Sequence, residues 1–198
     1  MHLVTCQFYK MKKRIAKFIL NLFGWKVIIN IPADIKKYVT IMAPHTSNWD
    51  FLIGWLGYMS IDVDSKYLVK KEAFFFPLGS VLSSMGAIPV DRKSSTNIVL
   101  QVGEMFKKNN NLVITITPEG TRSLSRNWKR GYYHIAVNAK VPITFGFLDY
   151  KNKIGGIGGM LMPTGNYEAD LKVIEEFYGD KTARFPEKFS LSPQYRNN

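Results

Sequence analysis

The stretch Ala43-Pro44-His45-Thr46-Ser47-Asn48-Trp49-Asp50-Phe51 decides how the rest of the chain is read. An apolar run from Tyr38 to Met42 precedes it and reads as a buried strand. Phe51 to Met59 follows and reads as a helix. On one continuous helix, five residues turn the chain by roughly 500°, so His45 and Asp50 would diverge by about 140°. They meet only if His45 lies in the loop ahead of the helix and Asp50 in its first turn. Pro44 disfavours helical geometry in the residue before it. Ser47, with Asp50 three residues on, has the spacing of a capping box in which Asp replaces the usual Glu. That spacing brings a carboxylate back toward an imidazole. A carboxylate on one ring nitrogen fixes the tautomer and leaves the other nitrogen free as a base. The same residues also read as an ordinary helix start, Asp50 serving the first turn and His45 a loop.

Working outward, Ile15, Phe18, Ile19, Leu22 and Phe23 share one helical face, and Lys13, Arg14, Lys17 and Asn21 the other. Gly24 ends the pattern. No acidic residue precedes Asp34. A basic amphipathic helix of this kind can lie in a membrane interface, or its apolar side can pack on the domain core. Trp25 to Ile31 and Lys66 to Val69 read as strands. Phe74-Phe75-Phe76-Pro77 reads as core, with the lining of an apolar channel as the alternative. Gly86 to Arg92 reads as a short strand whose Pro89 suggests a sheet edge or a strand end. A helix runs from Ser94 or Ser95 to about Lys108, with Ile98, Val102, Met105 and Phe106 inward. Leu112 to Thr117 is a strand rich in β-branched residues. Lys129 to Lys140 reads as a helix, and Val141-Pro142-Ile143 opens a strand to Leu148. Gly155 to Gly159 has no GxGxxG spacing and no Lys-Ser/Thr ending, so it reads as a hairpin or bulged connection and not a phosphate loop. Tyr167 to Tyr178 is a last helix.

This alternation predicts an α/β fold: one domain, a mixed, largely parallel central sheet flanked by helices, and an N-terminal amphipathic helix. The expected divisions are a basic amphipathic segment at 1–24, the domain at 25–180, and a loosely attached polar tail at 181–198. A chain of 198 residues that is 46% hydrophobic can build a real core, which argues against disorder. No stretch approaches the ~18 uninterrupted apolar residues of a membrane span, and the first residues lack a secretory signal. Cys6 is the single cysteine, so no intrachain disulfide forms, which fits a reducing compartment. The formal net charge of +12 attracts polyanions: nucleic acid, anionic headgroups or phosphorylated substrates. Aromatic and basic residues do not cluster in an RNA-binding signature, so no nucleic acid is expected. A serine hydrolase is disfavoured because no Gly-x-Ser-x-Gly elbow occurs.

In open α/β sheets, ligands bind beyond the carboxyl ends of the strands. Three polar clusters follow strands here: His45 with Asp50, Asp91 with Arg92, and Glu119-Gly120-Thr121-Arg122. Arg92 and Arg122 offer planar forks suited to phosphate. Gly120 permits close backbone approach, and Thr121 adds a hydroxyl. Singly, each reads as a solvated charge or a surface turn. Together they suggest a hydroxyl activated on a phosphorylated molecule.

These residues resemble the glycerolipid acyltransferases typified by 1-acylglycerol-3-phosphate acyltransferase. His45 and Asp50 match that family's first motif, His-four residues-Asp. Gly86 to Arg92 resembles the second, a Gly-rich strand ending in aromatic-Val/Ile-Asp-Arg. Glu119 to Ser123 matches the third in full, and Val141 to Ile143 the fourth. The resemblance covers about residues 38 to 150. Pro89 stands where the family usually has an aromatic, and Thr117 where Phe is common; both bear on the acceptor. The short chain resembles the compact bacterial members. The resemblance implies a glycerol-3-phosphate acyltransferase-like fold and O-acyl transfer from acyl-CoA or acyl-carrier protein to a lysophospholipid, 1-acylglycerol-3-phosphate above others. His45 would be the base and Asp50 its orienter. Arg122, with Gly120 and Thr121, would hold the acceptor phosphate; Glu119 would order that loop; Arg92 would assist. No cofactor and no metal are implied. The implied setting is cytoplasmic, peripheral on the inner face of the cell membrane, against an anionic surface. The alternatives are a different hydroxyl acceptor (another lysolipid or an amino-acid lipid) and a non-catalytic basic module that binds membrane or nucleic acid.

Overall fold

Alternation along Lys37–Met42 sets the layers. Val39 and Ile41 point to one side of the sheet, Tyr38 and Met42 to the other, and all four are buried. The computed structural model describes residues 2–90 and 95–191. In chain order the elements are α1 (His2–Leu22), β1 (Lys26–Ile29), β2 (Lys37–Met42), α2 (Asn48–Ser60), β3 (Ser65–Lys70), α3 (Leu78–Ser84), β4 (Ala87–Val90), α4 (Ser95–Lys108), β5 (Leu112–Ile116), α5 (Gly131–Ala139), β6 (Ile143–Asp149), β7 (Ile154–Leu161) and α6 (Tyr167–Tyr178). The sheet order is β1-β7-β6-β2-β5-β3-β4. Strands β6, β2, β5, β3 and β4 run parallel, so their carboxyl ends share one edge. Only β6 and β7 pair antiparallel, and β1 then runs parallel to β7. The expected α/β architecture is therefore the one observed.

The larger core lies between the sheet and α4, α5 and α6, where Val102, Phe106, Tyr132, Ile135, Ile174 and Tyr178 meet Val39, Ile41, Ile143 and Phe145. On the opposite face α2 packs Tyr58 over Tyr38, Met42 and Tyr67, and α1 lies along α2. Helix α1 ends as Gly24 takes φ +75 and the Trp25 N–H reaches back to the Leu20 carbonyl at 2.8 Å.

The structure decides readings left open for α1 and for the glycine stretch, and corrects those of the phenylalanine run and of the segment after α6. Helix α1 packs through Ala16 and Leu20, while Ile15, Phe18 and Leu22 on the expected apolar face are exposed, as is Phe23 just beyond it. The phenylalanine run after β3 is not core: Phe75 is exposed and Phe76 is 89% exposed, because the run turns out at the sheet edge into α3. The Gly155–Gly159 stretch is β7 itself, the second strand of a hairpin. Glycine is required there by close approach. A Cβ on Gly156, at φ +132, would fall on the Ile28 carbonyl, and one on Gly158 would strike the Phe177 ring. As far as Leu191 the segment after α6 is docked, not loose; the rest of the expected tail, 192–198, lies outside the described residues. Ala183 and Leu191 are buried, and the Tyr150 N–H bonds the Thr182 carbonyl at 2.9 Å. Among the described residues, no helix is long and apolar enough to cross a membrane.

Candidate active site

The carboxyl edge of the sheet gathers the loops after β2, β5 and β6. After β2, the chain passes through a cis Ala43–Pro44 bond to His45. Ser47 then caps α2 in extended geometry (φ −147, ψ 156), and both halves of the capping box with Asp50 are formed. Asp50 is 1% exposed and accepts on both oxygens. Oδ2 takes the Thr46 N–H at 2.7 Å and the Ser47 N–H at 2.8 Å; Oδ1 takes the Tyr150 hydroxyl at 2.5 Å. His45 Nδ1 lies 3.8 Å from Asp50 Oδ2. That is longer than a hydrogen bond but within ion-pair reach. Burial pushes the His45 ring below its ordinary pKa. The Asp50 charge opposes this and the Arg122 charge reinforces it. The imidazole is accordingly neutral near pH 7, the form that can accept a proton.

After β5, Glu119 points back into the same place. Its Oε1 accepts the His45 N–H at 2.9 Å. Its Oε2 is buried with no hydrogen-bond partner among the described residues. Burial raises the carboxyl to about 8, and the Asp50 charge adds to this against the His45 bond. Glu119 is therefore an acid, not an anion, near neutrality. Gly120 takes φ +66, and the Lys129 side chain lies across its Cα, so an added Cβ would come within 2.8 Å of Lys129 Nζ. The Thr121 hydroxyl accepts the Ser123 N–H at 3.2 Å. Arg122 is exposed, and its charge is felt at the His45 ring.

The structure thus brings His45, Asp50, Glu119, Gly120 and Thr121 to one edge, with Arg122 within electrostatic reach. Arg92, like Asp91, lies outside the described residues. Three further residues were not foreseen. Tyr150 holds Asp50 Oδ1 and packs edge-on against Trp25 at 5.1 Å. Burial, then its bond to Asp50, raises its hydroxyl above the ordinary tyrosine range, so it stays a donor. Arg184 places its guanidinium 5.5 Å from the Trp49 ring and 6.0 Å from the Tyr150 ring. Lys129 brings an ammonium to the Gly120 turn. The one sequence signal for Tyr150 is its position just past the carboxyl end of a parallel strand.

A neutral imidazole backed by a carboxylate, at the carboxyl edge of a parallel sheet and within electrostatic reach of a guanidinium, equips an enzyme to activate a hydroxyl beside an anionic group. The acyltransferase family model matches residues 26–144, more than half of the chain, and the chain belongs to that family. Its fold is similar to the crystal structure of the 1-acyl-sn-glycerophosphate (LPA) acyltransferase PlsC from Thermotoga maritima. The TM-score is 0.59 at 18% identity, over 85% of this chain and 76% of that one. No curated protein matches the chain.

Proposed function

We propose that this acyltransferase moves a fatty acyl group from acyl-CoA or acyl-carrier protein to the hydroxyl of a lysophospholipid, with 1-acylglycerol-3-phosphate as acceptor and phosphatidic acid as product. The observation that carries this is the half-buried His45, paired with the buried Asp50 and bonded through its backbone N–H to Glu119 of the Glu119–Arg122 loop. His45 Nε2 takes the acceptor's hydroxyl proton as that oxygen attacks the thioester carbonyl. Asp50 stabilises the imidazolium. When the tetrahedral adduct collapses, the C–S bond breaks and the imidazolium returns its proton to the leaving thiolate. Base assistance of this kind contributes roughly 10²–10⁴-fold. Arg122, with Gly120, Thr121 and Arg92, holds the acceptor phosphate; Glu119 ties its loop to the His45 backbone.

The acceptor is a bilayer lipid, and α1 fits that setting. Met11, Ile15, Phe18 and Leu22 are exposed on one side, flanked by exposed Lys10, Arg14 and Lys17. Basic residues near an anionic surface contribute about 1 kcal/mol each. In this reading the enzyme sits peripherally on the inner face of the cell membrane.

The test is thiol release from acyl-CoA and acyl-carrier protein across a panel of lysolipids. The expected result is acceptor-dependent release, largest with 1-acylglycerol-3-phosphate, that His45→Ala abolishes without unfolding the protein. Release that favours a different lysolipid would reassign the acceptor. A fully active His45→Ala variant would remove the mechanism.

A further inference from the structure

The carboxyl edge of the sheet carries a second exposed apolar element, at a distance from α1. Strand β3 ends in Lys70, a 3-10 turn spans Lys71–Ala73, and Phe74-Phe75-Phe76-Pro77 leads into α3. Phe75, Phe76, Leu78 and Val81 are all exposed large hydrophobics, and Phe76 has almost its whole side chain in solvent. Four apolar side chains within seven residues form a patch, not a scatter of single contacts. Lys70 and Lys71 beside it are exposed, as is Glu72, and neither lysine forms an ion pair among the described residues.

Topology relates this patch to α1. Strand β1 runs antiparallel to β2, so the end of α1 that feeds it reaches the same sheet edge as the loops after β2 and β3. Hydrogen bonds confirm the position: the Lys26 N–H bonds the Lys153 carbonyl in the β6–β7 turn, and Lys153 Nζ bonds the Phe23 carbonyl. His45 follows β2, in the middle of the sheet order. The α1 end flanks it on the β1 side, and the phenylalanine run flanks it on the β3–β4 side. Five strand spacings separate β1 from β3, a span of roughly 24 Å at about 4.8 Å each. A partner that covers both patches must be broad and apolar, and must tolerate lysines at its margin.

We propose that Phe75 and Phe76, with Lys70 and Lys71 at their base, form a second membrane-inserting point. With α1, it seats the His45 edge of the sheet against an anionic bilayer at two places. The inference rests on the reading of the acceptor as a membrane lipid. Phenylalanine rings enter the acyl boundary while the lysines stay among anionic headgroups. The net charge of +12 complements such a surface. Two contacts on opposite flanks also fix the protein's tilt, which one helix lying in the interface does not.

The experiment compares the full chain with the double variant Phe75→Ser/Phe76→Ser. Binding is measured by sedimentation with phosphatidylglycerol vesicles, and with phosphatidylcholine vesicles as the uncharged control, with no donor or acceptor present. Both side chains are exposed, so folding is expected to be unchanged, checked by circular dichroism. The expected result is a fall in partition on the order of tenfold. Turnover of bilayer-embedded lysolipid falls in parallel, while turnover of a short-chain, water-soluble acceptor is unchanged. A Phe76→Trp variant gains fluorescence that lipids brominated on the acyl chain quench. Unchanged partition overturns the proposal. So does equal loss of turnover on the soluble acceptor, which makes the run part of the substrate site. A dimer that the double variant dissociates, with partition intact, makes a second copy the occupant. Vesicle binding that depends on Phe75 and Phe76 in a protein that transfers no acyl group leaves this proposal standing and sinks the acyltransfer reading alone.

Discussion

Asp50 and Glu119 are both buried carboxyl groups beside His45, and they are held in opposite ways. Asp50 receives three donors, from Thr46, Ser47 and Tyr150. Every contact is a donor, two of them backbone amides and one a hydroxyl. Glu119 receives one donor, and its second oxygen has none among the described residues. Burial then outweighs that single bond and keeps the proton on. Two side chains of the same chemistry and similar depth thus differ in donor supply, and burial holds the proton on Glu119. For His45 the difference matters. Two anions at the ring would hold a proton on it at rest and leave it unable to act as a base. One anion stabilises the imidazolium once it forms.

The most severe way to break this contrast is Asp50→Asn. The shape stays, but the charge goes, and an amide nitrogen competes for a place among three donors. The expected outcome is a fall in kcat on the order of 10³-fold, with unfolding still cooperative. A loss of tenfold or less would leave Asp50 as a helix cap and nothing more. Glu119→Gln tests the other side. Glutamine mimics the protonated acid and keeps an acceptor for the His45 N–H. The folded pKa of about 8 lies above the ordinary 4.5, so the folded state binds this proton more tightly than the unfolded state does. The resulting stabilisation is complete below pH 4.5 and fades as pH rises through about 8. The loss amounts to a few kcal/mol, to order of magnitude. Urea unfolding at about pH 5 and about pH 9 should therefore show the wild type losing ground to Glu119→Gln at the higher pH. Parallel behaviour would mean that Glu119 is ionised and the contrast with Asp50 false.

What was legible in the chain follows the same division. The Asp50 cradle is local: Ser47 and Asp50 close a capping box within one helical turn, and spacing alone exposes it. The largely parallel sheet was legible as alternation of strands and helices; the order of its strands was not. The bond from Tyr150 comes from 100 residues away, and a lone tyrosine after a strand carries no pattern. Glu119 was read as ordering its own loop, yet its partner is the His45 backbone. Periodicity exposed the apolar stripes of both α1 and α4 but not what covers them. Ile98, Val102, Met105 and Phe106 of α4 turn to the core, whereas Phe18 and Leu22 of α1 face outward. The phenylalanine run misled for a related reason. Three adjacent aromatics have neither the strand period nor the helix period, so hydrophobicity was all there was to read. The docked segment after α6 is anchored by buried Ala183 and Leu191, by Phe189 against the core and by the Tyr150 N–H on the Thr182 carbonyl, scattered through a polar sequence whose composition reads as free.

The finest test removes one donor from Asp50 and leaves its charge. Tyr150→Phe deletes the hydroxyl on Oδ1 and keeps the ring that packs against Trp25. Asp50 is then held through Oδ2 alone, by the Thr46 and Ser47 amides. The expected fall in kcat is about tenfold, the size of one hydrogen bond to a charged group. The pH profile separates this from general loosening. With one donor gone, the Asp50 charge is less dispersed and acts more strongly on His45. Burial holds the His45 pKa below its ordinary value in the wild type, so the acidic limb of kcat/KM should lie below that value and move upward in the variant. An unmoved limb beside a reduced kcat would make Tyr150 a packing residue, and the three-donor account of Asp50 would shrink to its two backbone amides.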